Sequence, residues 1–117
     1  MSRLNKEAYE VIKDGLVYDY YRLIDAKNVT VKLSEEKAGV LKRGQLIDFD
    51  NGEYSKHSAS GTANCIVAED TEYTEKDTGV VATVYTSGDF TTAKVISESE
   101  ITETDKENLR SKNIVLK

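Results

Sequence analysis

Gln45-Leu46-Ile47-Asp48-Phe49-Asp50-Asn51-Gly52-Glu53-Tyr54-Ser55-Lys56 is the stretch whose reading decides the fold. Asn51-Gly52 favours φ > 0 at both central positions, the requirement of a type I′ turn between antiparallel strands. A hairpin is expected, with strands near Gln45–Asp50 and Glu53–Lys56. The acids around the turn look superficially like a calcium loop. An EF-hand loop, however, needs Gly at position six and Glu at position twelve. Counting from Asp48, Gly52 is fifth and Ala59 twelfth, so the turn reading is preferred.

Moving outward, Val29, Val31 and Leu33 alternate with Thr30 and Lys32, the pattern of a half-buried strand. Val40 to Phe49 is a further apolar stretch. Lys56 to Gly61 reads as a Ser/Gly loop, and Ala63 to Ala68 as a short apolar strand. Glu69 to Gly79 is a polar connection carrying Glu69, Asp70, Glu72, Glu75 and Asp77. Val80 to Thr86 is dense in β-branched residues and reads as a central strand. Ser87-Gly88 marks a bulge or bend before Phe90, and Thr92 to Ser97 is expected to continue as strand. Thr104 followed by Glu107 has the form of a capping box, so a helix is expected from Asp105 to about Lys112. Asn113 then stands where a left-handed residue ends a helix, with Leu109 and Ile114 as the contact pair of a Schellman motif. Ile114 to Leu116 finishes as a short strand or tail. The expectation is a mainly β chain with one short C-terminal helix.

The first fifteen residues read differently. Leu4, Ala8, Val11 and Ile12 have helical spacing, and Asp14-Gly15 stops the pattern. A lone helix of about a dozen residues is marginal in water, so this segment is expected to be docked or mobile. Tyr9, Tyr18, Tyr20 and Tyr21 cluster in the first fifth of the chain. Alternation within Leu16–Tyr21 would put Leu16, Tyr18 and Tyr20 on one face, facing either a partner or the domain's own core.

The 117 residues fit a single domain, divided here into residues 1–15 and a β-rich part, 16–117. With 38% hydrophobic and 32% charged residues the chain reads as a solvated globule. A net charge of −5 argues against nucleic acid as a partner. No apolar run approaches a membrane span of about 20 residues, and Met1 to Asp14 lacks the core of a secretion signal. Cys65, the only cysteine, reads as a small buried hydrophobe. His57, the only histidine, reads as a solvated loop residue with no nucleophile signature around it. The acids of 69–77 read as solvated surface. No catalytic residue, metal site or cofactor is expected.

From Gly39 on, the sequence resembles the lambda-type head decoration proteins of tailed phages. Gly39-Val40-Leu41-Lys42-Arg43-Gly44-Gln45-Leu46-Ile47 is similar to the family's opening strand, followed by a turn and a Tyr-containing return, Glu53-Tyr54. Ala63 to Glu72, with Ala68-Glu69-Asp70, is similar to its next strand and acidic connection. Val81-Ala82-Thr83-Val84-Tyr85-Thr86-Ser87-Gly88-Asp89-Phe90 is similar to its hydrophobic strand closed by Gly and an aromatic. Lys106 to Lys117, with Leu109-Arg110-Ser111-Lys112-Asn113-Ile114, is similar to its terminal helix and tail, Asn113 replacing a usual Gly. The resemblance implies a β-clip-like head decoration fold, homotrimers at capsid three-fold positions, and a non-enzymatic cementing role. The major capsid protein would be the partner, on the outer capsid surface of the virion, for a protein made in the bacterial host cytoplasm. A mobile arm of residues 1–15 would reach the shell protein, with Leu4, Tyr9, Val11, Ile12 and the adjoining Leu16 as contacts. Asn51, Gly52, Gly88, Thr104, Glu107 and Asn113 would serve as structural turns and caps. Two other readings compete. One is a carbohydrate-binding virion module, which exposed aromatic platforms would support. The other is a trimeric β-clip nucleotide hydrolase, which would need a phosphate-cradling stretch.

Overall fold

The computed structural model describes residues 14–19, 24–33 and 38–117. The described chain is mainly β with one α-helix. The expected hairpin forms: β4 (Leu46–Asp50) pairs antiparallel with β5 (Glu53–Lys56), with Phe49 opposite Tyr54 and Asp50 opposite Glu53. Asn51 and Gly52 take φ of 54° and 80°, as a type I′ turn demands.

The hairpin belongs to a closed five-stranded barrel. Its other strands are β2 (Ala26–Lys32), β6 (Ala63–Val67) and β8 (Gly79–Tyr85), in the order β2-β5-β4-β6-β8. β2 and β8 form the longest ladder, from Ala26 opposite Tyr85 to Lys32 opposite Gly79. Closure between β2 and β5 is parallel and short, pairing Val31 with Tyr54 and Lys32 with Ser55. Val29 and Val31 point inward from β2, as their alternation predicts. They meet Leu46, Ile47, Ile66, Val67 and Val84 in one contiguous core.

Two smaller sheets flank the barrel. β3 (Gly39–Leu41) and β7 (Thr71–Tyr73) form an antiparallel ribbon. β1 (Val17–Asp19), β9 (Gly88–Phe90) and β10 (Ile114–Leu116) form a sheet with β9 central, antiparallel to β1 and parallel to β10.

Several sequence expectations are corrected. Val40–Phe49 is split between β3 and β4 because Gly44, at φ 97°, turns the chain between them. The polar 69–79 connection contains β7. Thr92–Ser97 is not a strand: Thr92–Lys94 forms a 3-10 turn, and only Ile96 bridges, to Gln45.

Helix α1 spans Glu103–Arg110 and begins earlier than Thr104 and Glu107 suggested. Thr102 is the N-cap, and its hydroxyl accepts from the Asp105 N–H at 3.1 Å while Asp105 Oδ2 accepts from the Thr102 N–H at 2.9 Å. This is the same reciprocal device two residues upstream, with Asp in the role usually given to Glu or Gln. Glu107 instead pairs with Arg110 on the helix surface. At the far end the helix stops at Arg110 with Ser111 as C-cap, short of Lys112, and only the left-handed Asn113 is as expected. Asn113 is left-handed at φ 68°, and its N–H donates to the Arg110 carbonyl at 3.0 Å. Leu109 and Ile114 on either side of this turn are both fully buried.

Leu4, Tyr9, Val11 and Ile12, with Tyr20 and Tyr21, lie outside the described residues. Leu16, grouped with them as a partner contact, is 2% exposed and packs in the domain's own core, so it has no surface left for a partner. Tyr18 does not share that burial. It is 60% exposed, because the β1–β9 register shifts between Val17 and Asp19 and breaks the alternation.

Candidate functional site

The most unusual chemistry lies where sequence reasoning expected none. His57 is not a solvated loop residue: only 1% of its side chain is exposed. The hairpin return carries the chain inward after Lys56, and the His57 N–H donates to the Leu46 carbonyl at 2.9 Å. Each ring nitrogen then faces a carboxylate. Nδ1 lies 2.6 Å from Asp48 Oδ1, and Nε2 lies 3.1 Å from Asp105 Oδ2. Both ring nitrogens are thus within hydrogen-bond distance of a carboxylate oxygen.

The two acids are themselves held. Asp48 Oδ2 accepts from the Ser58 N–H at 2.9 Å, and Asp105 doubles as the N3 member of the helix cap. Gly61 lies so close that a Cβ there would overlap the Asp48 carboxylate. The result is a buried line of polar groups, Asp48–His57–Asp105, tying β4 of the barrel to the start of α1. Burial of charge is tolerable only when paired and hydrogen-bonded in this way. The carboxylates sit on opposite sides of the ring, and no group of three or more His, Cys, Asp or Glu suited to a metal occurs among the described residues.

Above His57 opens a groove of about 290 Å³, lined by Lys32, Leu33, Ser55, Lys56, Ser58, Tyr73 and Glu98. Lys56 Nζ lies 3.4 Å from the Tyr73 hydroxyl and 5.8 Å from its ring centroid. A Cβ on Gly39 would come within 2.7 Å of the Tyr73 hydroxyl, so glycine lets the phenol lie against β3. Lys32 pairs with Glu53 at 3.2 Å, but both side chains are more than half exposed, so the pair is weak.

A second polar cluster fixes the root of the N-terminal segment. The Arg43 guanidinium donates to Asp14 through Nε at 2.9 Å and Nη2 at 3.2 Å, and through Nη1 to the Ala68 carbonyl and the Tyr85 hydroxyl. Burial opposes ionisation of Asp14. The hydrogen bonds from Arg43 and the Leu16 N–H, with the Arg43 charge, outweigh it and hold the carboxyl below its ordinary value. For Arg43 burial likewise works against the charge, and the Asp14 and Tyr85 contacts overcome it, so its affinity for the proton rises.

The other sequence candidates keep structural places. Cys65 is buried in β6, and desolvation, reinforced by Asp48 and opposed by Lys27, pushes its thiol up to about 12. Asp50, beside the turn, accepts from the Thr62 N–H at 2.9 Å. Gly88, at φ 133°, starts β9, and a Cβ there would meet the Phe90 ring at 3.2 Å. Thr104 and Glu107 are not brought to the cap. The Thr102/Asp105 signal was present in the sequence as the same motif with an Asp. The Asp48–His57 pairing had no local signal beyond the nine residues that separate the two across the hairpin.

No protein-family model matches this chain, and no curated protein matches it.

Proposed function

We propose that this chain is a lambda-type phage head decoration protein, binding the exterior of the mature capsid as a homotrimer and stabilising it against internal DNA pressure. The β-clip-like classification, the three-fold placement and the major capsid protein as partner are parts of this reading. The observation that carries it is the ordered resemblance from Gly39 to Lys117. Each resembling segment coincides with a packed element: 39–47 with β3 and the entry to β4, 63–72 with β6 and the start of β7, 81–90 with β8 and β9, 106–117 with α1 and β10. Cementing needs surface rather than chemistry. The only histidine supports that choice, because both its ring nitrogens already face carboxylates, so it has no free position from which to act as a general base. Binding the expanded lattice and not its precursor shifts the shell toward the expanded state by mass action.

The test is co-sedimentation of the purified chain with empty shells of its own phage, before and after expansion. Saturable binding to expanded shells alone is expected. Failure to bind either form overturns the reading.

A further inference from the structure

The β3–β7 ribbon has two faces of opposite character. Side chains alternate along β7, so Thr71 and Tyr73 lie on one side and Glu72 on the other. Tyr73 is 8% exposed and turns inward beneath Lys56. Glu72 is exposed, directly opposite Val40 of β3, itself 38% exposed. Glu69 and Glu75, just beyond the ends of β7, are exposed as well. None of these three carboxylates, nor Lys56, takes part in an ion pair among the described residues. One side of the ribbon therefore presents carboxylates around an apolar residue. The other side borders a groove with two ammonium groups, Lys32 in its weak exposed pair with Glu53 and Lys56 with no ion pair among the described residues, and the half-buried Leu33.

Glu72 lies on the face of the ribbon opposite Tyr73, so its carboxylate is turned away from Lys56 of its own chain. A ring of identical subunits needs this arrangement, because head-to-tail contacts join two different and complementary patches. We infer that the outer face of the β3–β7 ribbon, Val40 and Glu72 with Glu69 and Glu75 beside it, docks against the Lys32–Lys56 groove of a second copy of this chain. The inference rests on the trimeric reading above and names the surfaces that would build it. Glu98 on the groove wall is a like charge that works against an entering carboxylate, so the attraction rests on Lys32 and Lys56.

The experiment is sedimentation velocity of the full chain against two variants, K32E/K56E and the charge-swapped K32E/K56E/E72K/E75K. Circular dichroism melts serve as the control for folding, and all four positions are at the surface or groove. Reversing the groove should weaken self-association by roughly tenfold or more, and the swapped variant should recover most of that loss. Raising salt from about 50 mM to about 500 mM should weaken the wild type and, by screening the new Glu–Glu repulsion, strengthen K32E/K56E. Association untouched by K32E/K56E, or a swapped variant as weak as K32E/K56E, overturns the inference and leaves capsid decoration standing. A wild type that stays monomeric at every concentration also overturns it, whatever the capsid assay shows.

Discussion

Replacing His57 by Ala removes the middle of the Asp48–His57–Asp105 line. Asp48 is 1% and Asp105 6% exposed, so each carboxylate would lose a charge-assisted hydrogen bond with little water to replace it. Such bonds contribute about 1.5–3 kcal/mol each. Breaking a buried pair by removing one partner costs about 3–5 kcal/mol. The acids keep their Ser58 and Thr102 N–H donors, and the groove lets water approach the vacated space, so the loss should fall near 3–4 kcal/mol rather than at the full sum. Against a typical total of about 5–15 kcal/mol this is a large fraction. The assay is urea unfolding followed by far-UV dichroism, since the chain has no Trp. The midpoint should drop sharply with little change in slope. A double-mutant cycle with Asp105→Asn should return a coupling of about 0.5–3 kcal/mol. A His57→Ala loss below about 1 kcal/mol, or a coupling near zero, would refute the argument that the ring holds the two carboxylates together.

Thr102→Ala should cost about 0.5–2 kcal/mol and Thr104→Ala under about 0.5, because only Thr102 caps α1; chemical denaturation of the two variants separates them. Gly61→Ala should be destabilised by more than about 1 kcal/mol through overlap with Asp48, and a melt matching the wild type would show that the loop gives way freely. Asp14 ionises more readily in the folded chain than in the unfolded one. Its contribution to stability is therefore present above an ordinary carboxyl value near 4 and is lost as pH falls through the lower folded value. Arg43→Met should flatten that part of the stability profile between about pH 4 and pH 2. Cys65, with its thiol pushed up to about 12, should resist iodoacetamide at pH 8 in the folded chain and react once urea unfolds it.

What the sequence made legible was mostly local. The Asn51-Gly52 turn, the alternation of Val29 and Val31, and the left-handed Asn113 are each set by a few neighbouring residues, and each appears where those residues place it. Harder to read were features set by distant partners. β7 looked like a polar loop because Glu72 faces solvent and, of its three residues, only Tyr73 is buried. Thr92–Ser97 has strand-like residues, but Thr92–Lys94 coils into a 3-10 turn and the segment meets the barrel at one bridge alone, Ile96 to Gln45. His57 looked solvated because its surroundings in sequence, Ser55 to Gly61, are polar and small. Its burial comes from Asp48 across the hairpin and from Asp105, forty-eight residues away, and no window of local sequence contains both.

The misplaced helix cap and the misread histidine have one cause. Asp105 was read as the first helical residue, a position with no special duty. In the fold it is N3, and its Oδ2 serves both the Thr102 N–H and His57 Nε2. A Glu at N3 could close the capping box as well, but its longer side chain would have to fold back to keep the ring contact. The shorter Asp holds its carboxylate close to the helix start, where the partial positive charge of the N-terminus favours an anion. His57 therefore links the β4–β5 hairpin to the start of α1, and α1 leads through Asn113 into β10, which pairs with β9. β9 also carries β1, the strand that follows the Asp14 root held by Arg43. The hairpin that closes the barrel is thus connected by buried polar contacts and one helix to the sheet in which the first and last described strands flank β9. Under the decoration reading, any contact made through Tyr18 or Lys117 on that sheet would be held rigidly against the barrel rather than on a loose tail. Lys117 Nζ already sits over the Tyr18 ring at 5.6 Å and within 3.8 Å of the buried Asp89 carboxylate.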